Sequence, residues 1–271
     1  FYNIWVTLKN WRYVLFLLIM VVFWAAFNQL YYSFPVFIEQ WVDSSEIYKG
    51  IESVWPWLAH SIGTAEGTIT TVTLTSMDSF FIIVFQIAVS ALVMRFKPLS
   101  AMMGGILVLS GGLMMMFSTQ SGWMILLGIL IFGLGEMSSS PKFTEYVGRI
   151  APPDKKALYM GTSFLPYAGG HALAGWLSGD IYEKTSDKIY LLQKEIAKRG
   201  ISLPEISETY SKNDFFNEAA AKMVMTKQEL TNFIWAEYHP SNIWLVYSGV
   251  AVLSVVLLFV YDRFILRRQQ N

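Results

Sequence analysis

The sequence predicts an all-α membrane protein built as a six-transmembrane-helix bundle. Three observations carry that expectation. Hydrophobic residues fill 54% of the 271 positions and charged residues 15%, and the apolar ones are gathered rather than dispersed. They form runs of about 18 residues or more, and ~20 helical residues cross the hydrocarbon core of a bilayer. Lys and Arg collect at alternate junctions between those runs, as they do in multi-pass proteins.

The first span covers about 12–40, most apolar from Tyr13 to Phe27. The second covers about 70–95 and opens on a threonine-rich stretch, TITTVTLTS, before turning apolar. The third and fourth cover about 100–118 and 122–148, the fifth about 156–180, and the sixth about 242–265. Each reads as a helix because a chain in lipid must satisfy its own backbone hydrogen bonds. Residues 1–180 thus hold five spans and an outer loop at about 41–69, residues 181–241 form a polar segment, and residues 242–271 hold the last span and a basic tail. Phe1 stands where an initiator Met would, and Lys9 and Arg12 precede a full-length span rather than a cleavable leader. The chain therefore reads as a fragment or a processed piece.

Basic residues set the orientation. Lys9 and Arg12, then Arg95 and Lys97, then Lys142, Arg149, Lys155 and Lys156, and finally Arg263, Arg267 and Arg268 all fall on one side of six crossings. That side is expected to be cytoplasmic, with both chain ends there. The opposite side receives Asp43, Glu46, Glu52 and Glu66, the Gln120-Ser121-Gly122 turn, and the whole of 181–241. Within that last segment, SDKIYLLQKEIAKRG places Ile189, Leu192 and Ile196 at helical spacing. A second helix is expected from about Asn213 to Trp235, after a break at Pro204. The segment is either an exterior cap of interfacial helices or a lid for a ligand or partner. Trp41, Trp55, Trp57, Trp235 and Trp244 flank spans on this side, as interfacial aromatics do.

Polar residues at membrane depth are the candidates for function. Glu136 lies about 15 residues into the fourth span, near the midplane at ~1.5 Å rise per residue. An ionised carboxylate there costs ~3 kcal/mol, so it faces a cavity or a partner. It is either a protonated acid bonded to a neighbouring helix or a cavity acid that meets a cationic solute, carries a proton, or does both. Ser139 and Ser140 either line the same face or bond back to their own helix, and Pro141 eases a bend. Asp78 is at the midplane if its helix begins near Gly67 and interfacial if it begins near Ser76. The first span carries FWAAFNQLYYS, in which Asn28, Gln29, Tyr31 and Tyr32 either line a cavity or bond helix to helix. The fifth span holds Pro166, Gly169, Gly170 and His171; the histidine is either a packing residue or a proton relay.

The order Gly135-Glu136, small residues, Ser140-Pro141, the Ala151-Pro152 turn, Met160-Gly161 and a Gly-rich helix resembles the second half of the proton-coupled oligopeptide transporters, a family of the major facilitator superfamily. The resemblance is dense over about 45 residues, from Gly133 to Gly179, and thinner elsewhere. It implies half of a major facilitator superfamily fold, its C-terminal six-helix half, in a bacterial cytoplasmic (inner) membrane. The partner is then the N-terminal half, which brings further proton-handling residues and the basic residues for a substrate carboxylate. Glu136 matches the family's glutamate that contacts the substrate's amino terminus. Phe23, Trp24 and Gln29 follow the family pattern in the first span, but the proton-coupling glutamate there is Asn28. The family's Asn-Pro pair in the second span is Asp78-Ser79, so the missing charge has a place to which it could have moved. Ser163 stands for a tryptophan, and His171 for a frequent asparagine.

The implied function is proton-coupled uptake of di- or tripeptides, or peptide-like solutes, by alternating access at a midplane site between two halves. Substrate-binding candidates are Glu136, Asn28, Gln29, Asp78, Tyr32 and Ser140; proton-coupling candidates are Glu136, Asp78 and His171. Two other readings stand beside it: transport of another amine-bearing solute, and a non-transporting receptor or scaffold with the same fold. An enzyme is not expected, and no cofactor beyond the proton gradient. There is no Cys for thiol chemistry, and His60, His171 and His239 lack metal-ligand spacing. P-loop, Rossmann and Gly-x-Ser-x-Gly signatures are missing, and zero net charge leaves no footprint for nucleic acid.

Overall fold

A computed structural model describes residues 5 and 7–266. Arg267 and Arg268 of the expected basic tail lie outside the described residues. Among those described the chain is mostly helical, with isolated bridges and no strand. Five stretches are long and apolar enough to cross a membrane: Trp11–Trp41, Thr71–Val93, Pro98–Ser118, Gly122–Ile150 and Pro240–Ile265.

The first stretch is three helices laid end to end, α1 (Trp11–Phe27), α2 (Gln29–Tyr32) and α3 (Phe34–Trp41). Asn10 opens α1 by accepting from the Tyr13 amide. Pro35 has no N–H to offer the carbonyl one turn back, and the chain steps at Ser33. Short helices α4 (Ser45–Val54) and α5 (Pro56–Ile62) fill the expected outer loop. Helix α6 (Thr71–Val93) starts where the Thr70 hydroxyl accepts from the Thr73 amide at 3.1 Å. Asp78 therefore lies in its third turn, closer to the centre of the helix than to its end. Most of this helix is bare: Ile83 and Ile87 are 79% and 85% exposed, as lipid or a neighbouring bundle requires.

Helices α7 (Pro98–Ser118) and α8 (Gly122–Ile150) pack most closely of all. A Cβ built on Gly135 would lie 2.4 Å from the Leu109 amide nitrogen and 2.6 Å from the Gly105 carbonyl. One on Gly112 would lie 2.5 Å from the Phe132 nitrogen and 2.8 Å from the Gly128 carbonyl. Gly105 and Gly112 are seven apart, as are Gly128 and Gly135, so both pairs face each other across one antiparallel seam. Small residues let the backbones approach, which is what membrane helices pack by.

The expected fifth span, 156–180, is not one long helix. It runs as α9 (Lys156–Thr162), α10 (Leu165–Trp176), a π-turn at Leu177–Ile181 and α11 (Tyr182–Ser186). Pro166 lacks the N–H that would continue α9, and the Ser163 hydroxyl turns back to the Met160 carbonyl at 2.6 Å. The run nevertheless travels the length of the bundle. At one end the Tyr13 hydroxyl donates to the Tyr159 carbonyl at 2.7 Å, and at the other Trp41 Nε1 donates to the Ser186 carbonyl at 2.9 Å.

The segment 181–241 folds as a cap of three helices: α12 (Lys188–Arg199), α13 (Lys212–Lys222) and α14 (Lys227–Tyr238). The expected second cap helix, from about Asn213 to Trp235, is interrupted at Met223. Val224 takes a left-handed backbone, and Thr226 with Glu229 forms a capping box that starts a new helix. Inside the cap, Glu195 is buried and accepts from Arg199 Nε and from the Tyr238 hydroxyl at 2.8 Å. Burial pushes that carboxyl up, but the bonds from Arg199 and Tyr238 outweigh it and hold it below the usual range. The cap is pinned to α3 by Gln40, which donates to Asp187 at 2.7 Å, and by Trp235, whose ring meets Phe37 and Trp41. Helix α15 (Ile243–Val260) closes the bundle against α7 and α1.

Candidate functional site: an acid pair on the open face of the bundle

Helix α8 presents different residues on different faces. Gly128 and Gly135 look toward α7, while Gly133, Glu136 and Ser140 follow the i, i+3, i+7 spacing of another face. Helix α6 lies against that second face and brings Asp78 to it. The carboxyl groups of Asp78 and Glu136 come within hydrogen-bonding reach of each other. Asp78 is only 2% exposed, and Glu136 is half-buried. Asp78 Oδ1 sits 3.0 Å from the point a Gly133 Cβ would occupy, so a side chain at 133 would crowd it.

Neither acid has a basic partner among the described residues. Asp78 Oδ1 and Glu136 Oε2 are buried with no donor aimed at them. Two ionised carboxylates are acceptors only, so their contact becomes a hydrogen bond when a proton lies between them. Buried polar atoms without partners are rare in folded proteins, and here five gather on neighbouring helices. Besides the acids they are Trp24 Nε1 and Asn28 Nδ2 from the end of α1, and Ser140 Oγ from α8.

Aromatic rings surround the acids. Tyr31, 58% exposed, is within electrostatic range of both, and Tyr167 is within range of Glu136. Tyr167 stacks on Trp24 with ring centroids 3.7 Å apart, and Phe27 joins Trp24 to Tyr31 and to Phe132. The result is an acid pair beside two tyrosines, with Glu136 half-buried and Tyr31 exposed on the side that no described element covers.

The other candidates distribute as follows. Asn28 is buried near this cluster with its amide nitrogen unpaired. Gln29 is fully buried and its amide is engaged: it donates to the Ala25 and Ala174 carbonyls and accepts from Ser33. It holds α2 to α10 and does not reach the acids. Tyr32 points elsewhere, its hydroxyl 3.3 Å from His171 Nδ1 on the exposed surface. His171 thus belongs with Tyr32, and the structure gives it no contact with either acid. Ser139 bonds back to the Gly135 carbonyl at 2.8 Å, which settles its alternatives. Of Tyr31 and Tyr32, either of which the sequence allows to line a cavity, it is Tyr31 that lies near the acids, whereas the sequence does not point to Tyr167 or Gly133 as site-forming. For Gly133 the spacing to Glu136 was the available signal; for Tyr167 only the packing of α10 on α1 brings it near.

No protein-family model, curated protein or solved structure matches this chain. Fold and site together define an all-α protein with several helices suited to a membrane and an acid pair buried between two of them.

Proposed function

We propose that this chain is one half of a secondary active transporter, in which Asp78 and Glu136 form the site where a proton and a cationic solute group replace one another. The solute is a di- or tripeptide or a similar amine-bearing molecule, in keeping with the resemblance of 133–179 to the proton-coupled oligopeptide transporters. The acid pair on an uncovered face is the observation that supports this reading best.

The physical argument is one of charge. Two carboxylates side by side in a poorly solvated site cannot both stay ionised at low cost, and one shared proton relieves the repulsion. An ammonium group entering from the open side supplies the same positive charge and the same donors. The rings of Tyr31, Tyr167 and Trp24 suit it further, since aromatic faces attract cations by ~0.5–2 kcal/mol. Proton and amine therefore compete for one place, and the state of the pair biases which side of the membrane the cavity faces. Transport then proceeds by rocking of this bundle against its partner half, with no bond made or broken. Asn28, which cannot titrate, leaves the coupling to this pair.

The test is uptake by the complete transporter in proteoliposomes under an imposed pH gradient. Wild type accumulates dipeptide when the outside is acidic. Glu136→Gln and Asp78→Asn each abolish the proton dependence while the protein remains folded. Failure to take up any of a panel of peptides, amino acids and amines would favour the receptor or scaffold reading instead.

A further inference from the structure

The cap holds a second polar site, separate from the acid pair. Two hollows of about 600 Å³ each open between the cap and the end of α3, and both are lined by Lys188 and Thr231. Lys188 is the first residue of α12, directly after its N-cap Asp187. Its ammonium lies 5.0 Å from the Trp41 ring and 5.2 Å from the Phe216 ring, and it donates to Thr231 Oγ1 at 3.2 Å.

An ammonium has three donors, and here only one reaches a protein acceptor among the described residues. No carboxylate of those residues lies within 4.0 Å of it. Asp187, its nearest neighbour in sequence, is already engaged by Gln40 and by the Tyr190 amide. Glu39 lines both hollows from an exposed position, and Asp43 and Glu46 line only the first. The second hollow is the more basic one, with three lysines against Glu39 and the already engaged Asp187. Lys212 and Lys227 enter it from the first turns of α13 and α14, with Asn213, Asn217 and Gln228 as neutral donors beside them. The aromatic faces steady the cation but give its N–H groups no acceptor. Burial accordingly pushes the Lys188 amine down to about 8, as expected of a cation without a counter-ion.

We propose that the second hollow binds a small oxyanion, a carboxylate or a phosphate, with Lys188 as the direct contact and Lys212 and Lys227 at its rim. Such a group arises from two sources, a free solute or the phosphate of a membrane lipid. The site is independent of the acid pair, and its test does not depend on transport.

Lipid-stripped full chain in detergent is treated at pH 7 with limiting N-acetoxysuccinimide, and the acetylation rate of each lysine is read by mass spectrometry. The reaction is run in chloride, then with acetate or inorganic phosphate at equal ionic strength, and again in phospholipid nanodiscs. A bound anion favours the ammonium form, and a rise of about one pKa unit lowers the reactive neutral fraction about tenfold. Lys188 is expected to slow by that factor while exposed Lys194 and Lys198 stay within about twofold. The pH midpoint of its labelling moves upward too, which shielding alone does not produce. Slowing by the free anions assigns the ligand to a solute. Slowing with an upward midpoint only in nanodiscs assigns it to a lipid phosphate. An unchanged rate and midpoint for Lys188 in every condition overturns the proposal. As a check on folding, Lys188→Arg keeps the anion-dependent rise in melting temperature and Lys188→Met loses it.

Discussion

The acid pair can be dissected by a double-mutant cycle that separates a shared proton from mere proximity. If one proton bridges Asp78 and Glu136, Glu136→Gln replaces O–H···O by N–H···O and keeps the bond. A hydrogen bond to a charged acceptor is worth ~1.5–3 kcal/mol net, comparable with the ~3 kcal/mol cost of an ionised carboxylate at depth. The amide variants Glu136→Gln and Asp78→Asn should therefore lie within ~1 kcal/mol of wild type in stability. Alanine behaves differently. With Asp78 only 2% exposed, Asp78→Ala removes the bridge and leaves a Glu136 oxygen with no partner. The coupling energy of the Asp78→Ala and Glu136→Ala cycle should reach ~1–3 kcal/mol, read from unfolding in a fixed detergent at pH 6 and at pH 8. Proteoliposome uptake on the same samples should lose its pH dependence in both amide variants. Alanine effects that add within ~0.5 kcal/mol, together with pH-dependent uptake in both amide variants, would refute the shared proton.

Further outcomes follow from other contacts. Gly135→Ala drives a methyl into the backbone of α7 and should cost ~1–3 kcal/mol or more, whereas Gly104→Ala, with open space around it, should be neutral or gain up to ~1 kcal/mol; melting temperatures of the two compared with wild type decide this. Lys188 binds its proton less tightly folded than unfolded, so its penalty is full below pH 8 and relieved as pH rises toward ~10.4. In chloride, wild type should therefore gain up to ~3 kcal/mol on Lys188→Met between pH 7 and 10, and a flat difference curve would contradict the burial argument. Glu195 works in the opposite sense, its folded carboxyl lying below the usual range, so its contribution is present above pH ~4.3 and lost as acid protonates it. Glu195→Gln should lower stability by ~1–3 kcal/mol at pH 7, and the gap should close on titration below pH 4, as followed by tryptophan fluorescence.

Much of the fold was legible because lipid allows few solutions. Long apolar runs located all five of the stretches suited to a membrane. The fifth stretch reads from sequence as a helix broken by Pro166 and loosened by glycines. The structure breaks it near Pro166 and again at the π-turn from Leu177, which hydropathy does not register, so no piece is long enough to cross alone. The cap was under-read. Thr226-x-x-Glu229 is a start signal in plain sight, but Ala-rich sequence on one side and apolar residues on the other suggested a continuous helix. At the site, the sequence marks the two acids singly, because nothing in it says that Asp78 and Glu136, 58 residues apart, come together. Gln29 follows the family pattern in the first span, but its amide is taken up by three hydrogen bonds inside the bundle, which no sequence pattern displays.

The seam between α7 and α8 is the feature on which the site rests. Adjacent helical residues point about 100° apart. With Gly135 fixed against the backbone of Leu109, the direction of Glu136 is no longer free: it must point away from α7 toward α6. There Gly133 leaves room for Asp78, and the acids meet where Asp78 is almost wholly buried. Helix α6 makes few other buried commitments, since its remaining face is bare. One wall of the site is thus rigid and the other only lightly held, so a change in the charge of the pair falls on the more movable helix. The proposed transport cycle needs that asymmetry, because a pair clamped on both sides would register a proton without passing on any displacement.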